Sequence, residues 1–185
     1  MDQQTIEYLN AYENKLMQGL LGLCTDLKLL EGRLLETPDI SDKWHGIDAE
    51  YVADAVKEFA QYPTVALGWA MYVGMAVARY WDEDWSIYDR LPNLYLHIRD
   101  KRGFDYLDEV VRGEVLCLKD EAFTRCEDQV RTCSQFVLDQ MRHEQVEAGS
   151  AMAFHVYARS IKVLYRVGAA VELRRSGYNL VAVNA

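Results

Sequence analysis

Apolar residues recur along this chain at helical spacing almost from end to end. Leu9, Leu16, Leu23 and Leu30 repeat every seven residues, and Ile6, Leu20, Leu27 and Leu34 fill the complementary positions. Glu13 is the one lapse in that register. An a/d seam of about four heptads predicts a single helix from about Thr5 to Leu35, within a first segment spanning residues 1–36. In a parallel homodimer Asp26 would meet Glu31 of the other chain, and like charges repel there. Leu21, Leu29 and Leu35 also widen the apolar face beyond a zipper stripe, which favours a helix inside a bundle.

Residues 37–47 concentrate Pro, Gly, Ser and Asp and predict a loop. Asp48 can cap the next helix, with Val52, Ala55, Val56 and Phe59 on its apolar face, and Pro63 ends it near Tyr62. A third helix over about 64–81 carries Ala66, Ala70, Gly74 and Ala78 at four-residue spacing, with large apolar side chains on every other face. A helix apolar all round must be surrounded, so this one is expected at the centre of the fold. From Tyr62 to Ala78 seventeen residues pass without a charge, which touches the lower limit for a membrane span. The acids that follow at once, and the absence of flanking basic clusters, argue for burial in a bundle instead.

Beyond Pro92, the run to Arg102–Gly103 reads as a short helix with cations and a glycine at its C-terminus. Asp105 opens another short helix. Asp120 opens a longer one reaching about Gly149, and Ser150 can cap a last helix that runs to Arg175. Residues 177–185 have extended character. The expectation is all-α: one domain, residues 1–185, folded as a bundle of about six helices around a buried central one.

Charge changes the picture at the ends. The chain of 185 residues has net charge −9, yet residues 151–185 hold five bases and one acid. The acidic body argues against a nucleic-acid surface. Cys24, Cys117, Cys126 and Cys133 match no zinc or redox spacing and read as reduced thiols. With no signal-peptide pattern at the N-terminus, a cytoplasmic location is expected.

Three sets of residues are candidates for chemistry. His155, Arg159, Lys162 and Arg166 fall on one face of the last helix, near Tyr157 and Tyr165, as a stripe that could bind an anionic small molecule. Tyr80–Asp89 (YWDEDWSIYD) ends the uncharged run with Asp82, Glu83 and Asp84, which could hold Mg²⁺ or Mn²⁺ in a metal-dependent hydrolase. If the third helix continues past Trp81, then Trp81, Trp85 and Tyr88 share a face and could cage an organic cation. Asp139, His143 and Glu147 align on one helical face, opposite the apolar positions, and read as solvated. Glu144 and Glu147 form one Glu-x-x-Glu pair with no second to face it. No Glu-x-x-His, His-Glu-x-x-His, phosphate loop or nucleophile elbow occurs. The reading that follows is a non-catalytic helical protein acting through a protein partner or self-association, of adaptor or scaffold type, with no cofactor expected. Anion binding on the basic stripe and metal-dependent hydrolysis are the alternatives.

Overall fold

The computed structural model describes residues 1–179, and every regular element in that stretch is helical. Helix α1 (Gln3–Asp26) starts where the Asp2 carboxylate accepts a hydrogen bond from the Thr5 amide at 2.7 Å. It stops well short of Leu35. The Leu29 amide donates to the Cys24 carbonyl at 2.8 Å and the Lys28 amide to the Thr25 carbonyl at 3.0 Å, with Lys28 at φ 60°. This is a Schellman turn, which satisfies the last carbonyls of the helix. Leu30 and Leu35 are still buried, but from the loop beyond it. The heptad pattern therefore names the buried Leu9, Leu16, Leu20 and Leu30, but Ile6, Leu23, Leu27 and Leu34 are only half-buried and the pattern overruns the helix. A left-handed residue other than glycine costs about 1 kcal/mol. Lys28→Gly is therefore expected to raise stability by about 1 kcal/mol in a denaturant melt.

The stretch 37–47, expected as a loop, folds into α2 (Pro38–Lys43) and a 3₁₀ turn at Trp44–Gly46. Thr37 caps α2, Pro38 occupies its first position, and Ile40 and Trp44 are buried. Helix α3 (Asp48–Phe59) buries Tyr51 and Ala55, while Val56, placed on its apolar face by the sequence pattern, is exposed.

Helix α4 (Pro63–Glu83) ends at Asp84, whose φ of −138° and ψ of 70° break the helix. The Asp84 side chain then accepts from the Ile87 amide at 3.1 Å and caps α5 (Trp85–Arg90). Trp81 thus lies on a different helix from Trp85 and Tyr88. Helix α6 (Leu94–Arg102) begins on an Asn93 cap and ends at Gly103, φ 88°. A short α7 (Leu107–Glu109) passes into a π-helical turn over Val110–Val115, which the sequence pattern does not announce. Helix α8 (Asp120–His143) stops six residues before Gly149, so Glu147 does not share a helical face with Asp139 and His143. Helix α9 (Ala151–Arg175) starts on the Ser150 hydroxyl, 3.1 Å from the Ala153 amide.

Every residue from Ala66 to Ala78 is buried, and α9, α8, α3 and the π-helical turn after α7 pack around the helix that carries them. The closest approach is to α9. A β-carbon added at Gly74 would land on the Tyr165 carbonyl oxygen, and one at Gly168 on the Met71 carbonyl oxygen. The two glycines thus seat two backbones directly against each other. None of the described helices is long and apolar enough to cross a membrane. The four cysteines are thiols, and Cys24 of α1 lies 3.9 Å from Cys133 of α8, sulfur to sulfur. Of the tail, Tyr178 packs edge-on against Trp81 at 5.3 Å, and residues 180–185 lie outside the described residues.

Candidate functional site

The basic stripe is occupied by the protein's own acids. Arg159 pairs with Glu13, and Lys162 and Arg166 reach the other oxygen of the same carboxylate at 3.4 and 3.5 Å. Arg166 also grips Glu36 with two parallel bonds of 2.8 and 3.0 Å. Glu13 is the lapse in the heptad seam, and three cations are the reason it can sit there buried. Burial pushes the Glu36 carboxyl up, but hydrogen bonds from Arg166 and Ser41 more than offset it, so the net shift is down. His155 stands apart, its ring edge-on to Phe154. Tyr157 and Tyr165 are core residues: their hydroxyls donate to the carbonyls of Ala66 and Ile40, at 3.4 and 2.7 Å.

The acids at the exit of α4 are likewise separately engaged. Asp82 accepts from the Tyr178 hydroxyl at 2.7 Å, Glu83 pairs with Arg79 at 2.8 Å, and Asp84 is the cap of α5. Glu144 is held by Tyr8 at 2.7 Å and Lys15 at 3.2 Å, which ties α1 to the end of α8. Among the described residues no three His, Cys, Asp or Glu side chains are grouped so as to hold a metal ion.

A different set of cations surrounds open space. Between the turn after α1 and helices α4, α8 and α9 lies a cavity of about 370 Å³. Its apolar wall is Leu29, Met75, Leu118 and Val171, and its basic members are Lys28, Arg125, Arg174 and Arg175. The Schellman turn brings Lys28 to the rim, and the last turn of α9 supplies Arg174 and Arg175. Arg125 pairs with the exposed carboxylate Glu121, and Arg174 with the exposed carboxylate Glu31 and, at 3.4 Å, the Lys28 carbonyl. Such surface pairs are worth little, so both guanidinium groups can turn to a ligand. Among the described residues the Lys28 ammonium has no ion-pair partner. Sequence reasoning missed this site because its cations come from three separate segments. The one signal available was the Arg174–Arg175 pair ending the most basic stretch of the chain.

One acid lines the same cavity. Glu172 is 1 % exposed, with Arg175 at 2.9 Å and Arg79 at 3.6 Å. Glu83 of α4 also acts on it, and Glu172 in turn helps to push up the Cys126 thiol of α8. Burial outweighs the two arginines and pushes its pKa up to about 7. Between the ordinary glutamate range and about 7, the folded protein therefore binds more protons at this site than the unfolded chain does. The resulting stability is full below that range and is lost as pH rises through about 7. Denaturation midpoints measured from about pH 4 to about pH 8 should fall with rising pH, and Glu172→Gln should remove most of that slope. Deprotonated Glu172 also ties down Arg175, so an anion in the cavity should bind more weakly above that pKa than below it.

No protein-family model matches this sequence, and no curated protein or solved structure shows significant similarity to it.

Proposed function

We propose that the protein is a non-catalytic binding bundle that takes an amphipathic organic anion, its acidic head against Lys28, Arg125, Arg174 and Arg175 and its apolar body against Leu29, Met75, Leu118 and Val171. The observation that carries this reading is the pairing of a basic mouth with an apolar wall in one cavity of about 370 Å³, within the size range of small-molecule sites. The stripe from His155 to Arg166 does not support it, because Glu13 and Glu36 already engage Arg159, Lys162 and Arg166. A calorimetric titration with octanoate and with hexyl phosphate tests it, and the two probes separate carboxylate from phosphate heads. Saturable binding that weakens with salt and in Arg125→Gln is expected. No heat with either anion, or equal binding of octylammonium, would overturn the proposal.

The protein–protein reading keeps one specific support. Trp85 is 54 % exposed, its ring 5.1 Å from that of Tyr88, and Asp39, Asp42 and Asp89 stand around the same hollow with no ion-pair partner among the described residues. Lys43 lines the hollow too, over the Tyr88 ring at 4.6 Å, but three acids to one base around an exposed aromatic suit a basic segment of a protein partner. Titration with an oligo-arginine peptide should quench Trp85 emission, an effect absent in Trp85→Phe. A flat titration removes this reading, and a chain that sediments as a monomer at every concentration removes self-association.

A further inference from the structure

Cys24 and Cys133 meet where two helices are held side by side. Helices α1 and α8 run antiparallel, with Tyr8 and Lys15 of α1 bound to Glu144, the C-cap of α8, at one end of the contact. Further along, Gly19 faces the Phe136 ring, whose edge lies 2.7 Å from where a β-carbon would stand. Cys24 and Cys133 come next, both fully buried, with their sulfurs 3.9 Å apart and one thiol donating to the other. About one helical turn beyond them the contact opens into the basic cavity, lined by Gln129 of α8 and by Lys28 and Leu29 after α1.

The other two thiols are not placed this way. Cys117 is exposed in the connection before α8. Cys126 shares α8 with Cys133 and lies about 10 Å along the helix from it, too far for a bridge. Between Cys24 and Cys133 the sulfurs need close by only about 1.9 Å to reach bonding distance, within the swing of two side chains about their first torsions. Access is also local. Cys24 lies in the last turn of α1, and its neighbours Thr25 and Asp26 are exposed. A helix end opens at far lower cost than the whole fold, so a small oxidant reaches Cys24 without global unfolding. The hydrogen bond from Cys133 holds the Cys24 thiol below the ordinary cysteine pKa, against the effect of burial, and so favours the reactive thiolate there.

We propose that Cys24 and Cys133 are a peroxide-sensitive dithiol whose disulfide fastens the end of α1 to α8. The Cys24 sulfur attacks one peroxide oxygen. An S–O bond forms, the O–O bond breaks, and the departing hydroxide takes up the thiol proton as water. The Cys133 sulfur then attacks the sulfur of the Cys24 sulfenic acid, forming the S–S bond, and the sulfenic hydroxyl leaves with the Cys133 proton as a second water. The two electrons lost by the thiols are those gained by the peroxide. The bridge joins positions 109 residues apart, which restricts the unfolded chain and stabilises the fold. The inference stands whether or not the neighbouring cavity takes an anion.

The test treats the folded full chain with dilute hydrogen peroxide, in a Cys117→Ser background that prevents linkage between molecules. Peptide mapping without reductant should find Cys24 joined to Cys133, with the chain lighter by about 2 Da and Cys126 still a thiol. The bridge should form faster than the chain unfolds globally. Tm should rise by about 10 °C and return with dithiothreitol. Cys24→Ala should abolish that rise, and Cys133→Ala carries the same expectation if the first variant fails to fold. The proposal is overturned if the two thiols survive the peroxide, if they join only at the rate of global unfolding, if either pairs with Cys126 instead, or if the oxidised chain melts no higher than the reduced one.

Discussion

Gly74→Ala and Gly168→Ala are each expected to lower stability by at least about 3 kcal/mol, the upper range for overpacking a well-packed core. A methyl group usually stabilises a helix interior, by about 1 kcal/mol for alanine over glycine. Here the sign reverses, because the methyl would land on backbone. At Gly74 it meets the Tyr165 carbonyl, and at Gly168 the Met71 carbonyl. Backbone in the middle of two long helices cannot turn aside as a side chain can, so α4 and α9 would have to separate along their length. Gly22 is the control: nothing lies within 4 Å of a β-carbon built there, and Gly22→Ala should raise stability by about 1 kcal/mol. Urea melts of the three variants decide it. An alanine tolerated at both core positions would mean that the two backbones are not in contact.

Glu13→Leu is expected to lower stability by about 2 kcal/mol, although it restores the heptad seam that the sequence interrupts. Removing one partner of a buried ion pair costs roughly 3–5 kcal/mol because it strands the other charge. Arg159, Lys162 and Arg166 keep 26–36 % of their side chains in water, so the stranding is partial and the figure is discounted. Arg166 also retains Glu36 at 2.8 Å. Against the loss stands the transfer of a leucine into a mostly apolar site, roughly 1.5–3 kcal/mol if burial were complete. The three-cation cluster decides the sign: Glu13→Leu combined with Arg159→Met should recover part of the loss. A leucine that stabilises the chain by itself would show that the cluster contributes nothing.

These two predictions mark where the sequence could be read and where it could not. The burial of α4 was legible in an uncharged run with small residues every fourth position, and α6 and α9 were legible in Asn93, Gly103 and Ser150. Those signals are local, and local geometry answers to them. The end of α1 was not legible, because a Schellman turn normally advertises itself with glycine and Lys28 takes the left-handed position instead. Nor was the fate of the basic stripe. Glu13 is 146 residues from Arg159, and no periodicity along one helix reports which face of another it will meet. The break at Asp84 could have been suspected from its capping side chain, but acidic residues there fit a helix exit equally well. The basic cavity escaped for the same reason as the stripe. Lys28, Arg125 and Arg174 belong to three segments, and only the packing of α8 and α9 against the turn after α1 brings them together.

Residue-resolved hydrogen exchange along α4 tests most directly whether that packing is as described. Amides from Ala66 to Ala78 should exchange only through global unfolding, with opening energies equal to the denaturant-derived stability and matched by Val163 to Ala170 of α9. Exchange of the α4 amides through local opening, well below the global stability, would contradict an enclosed central helix and remove the scaffold on which the proposed anion site is built.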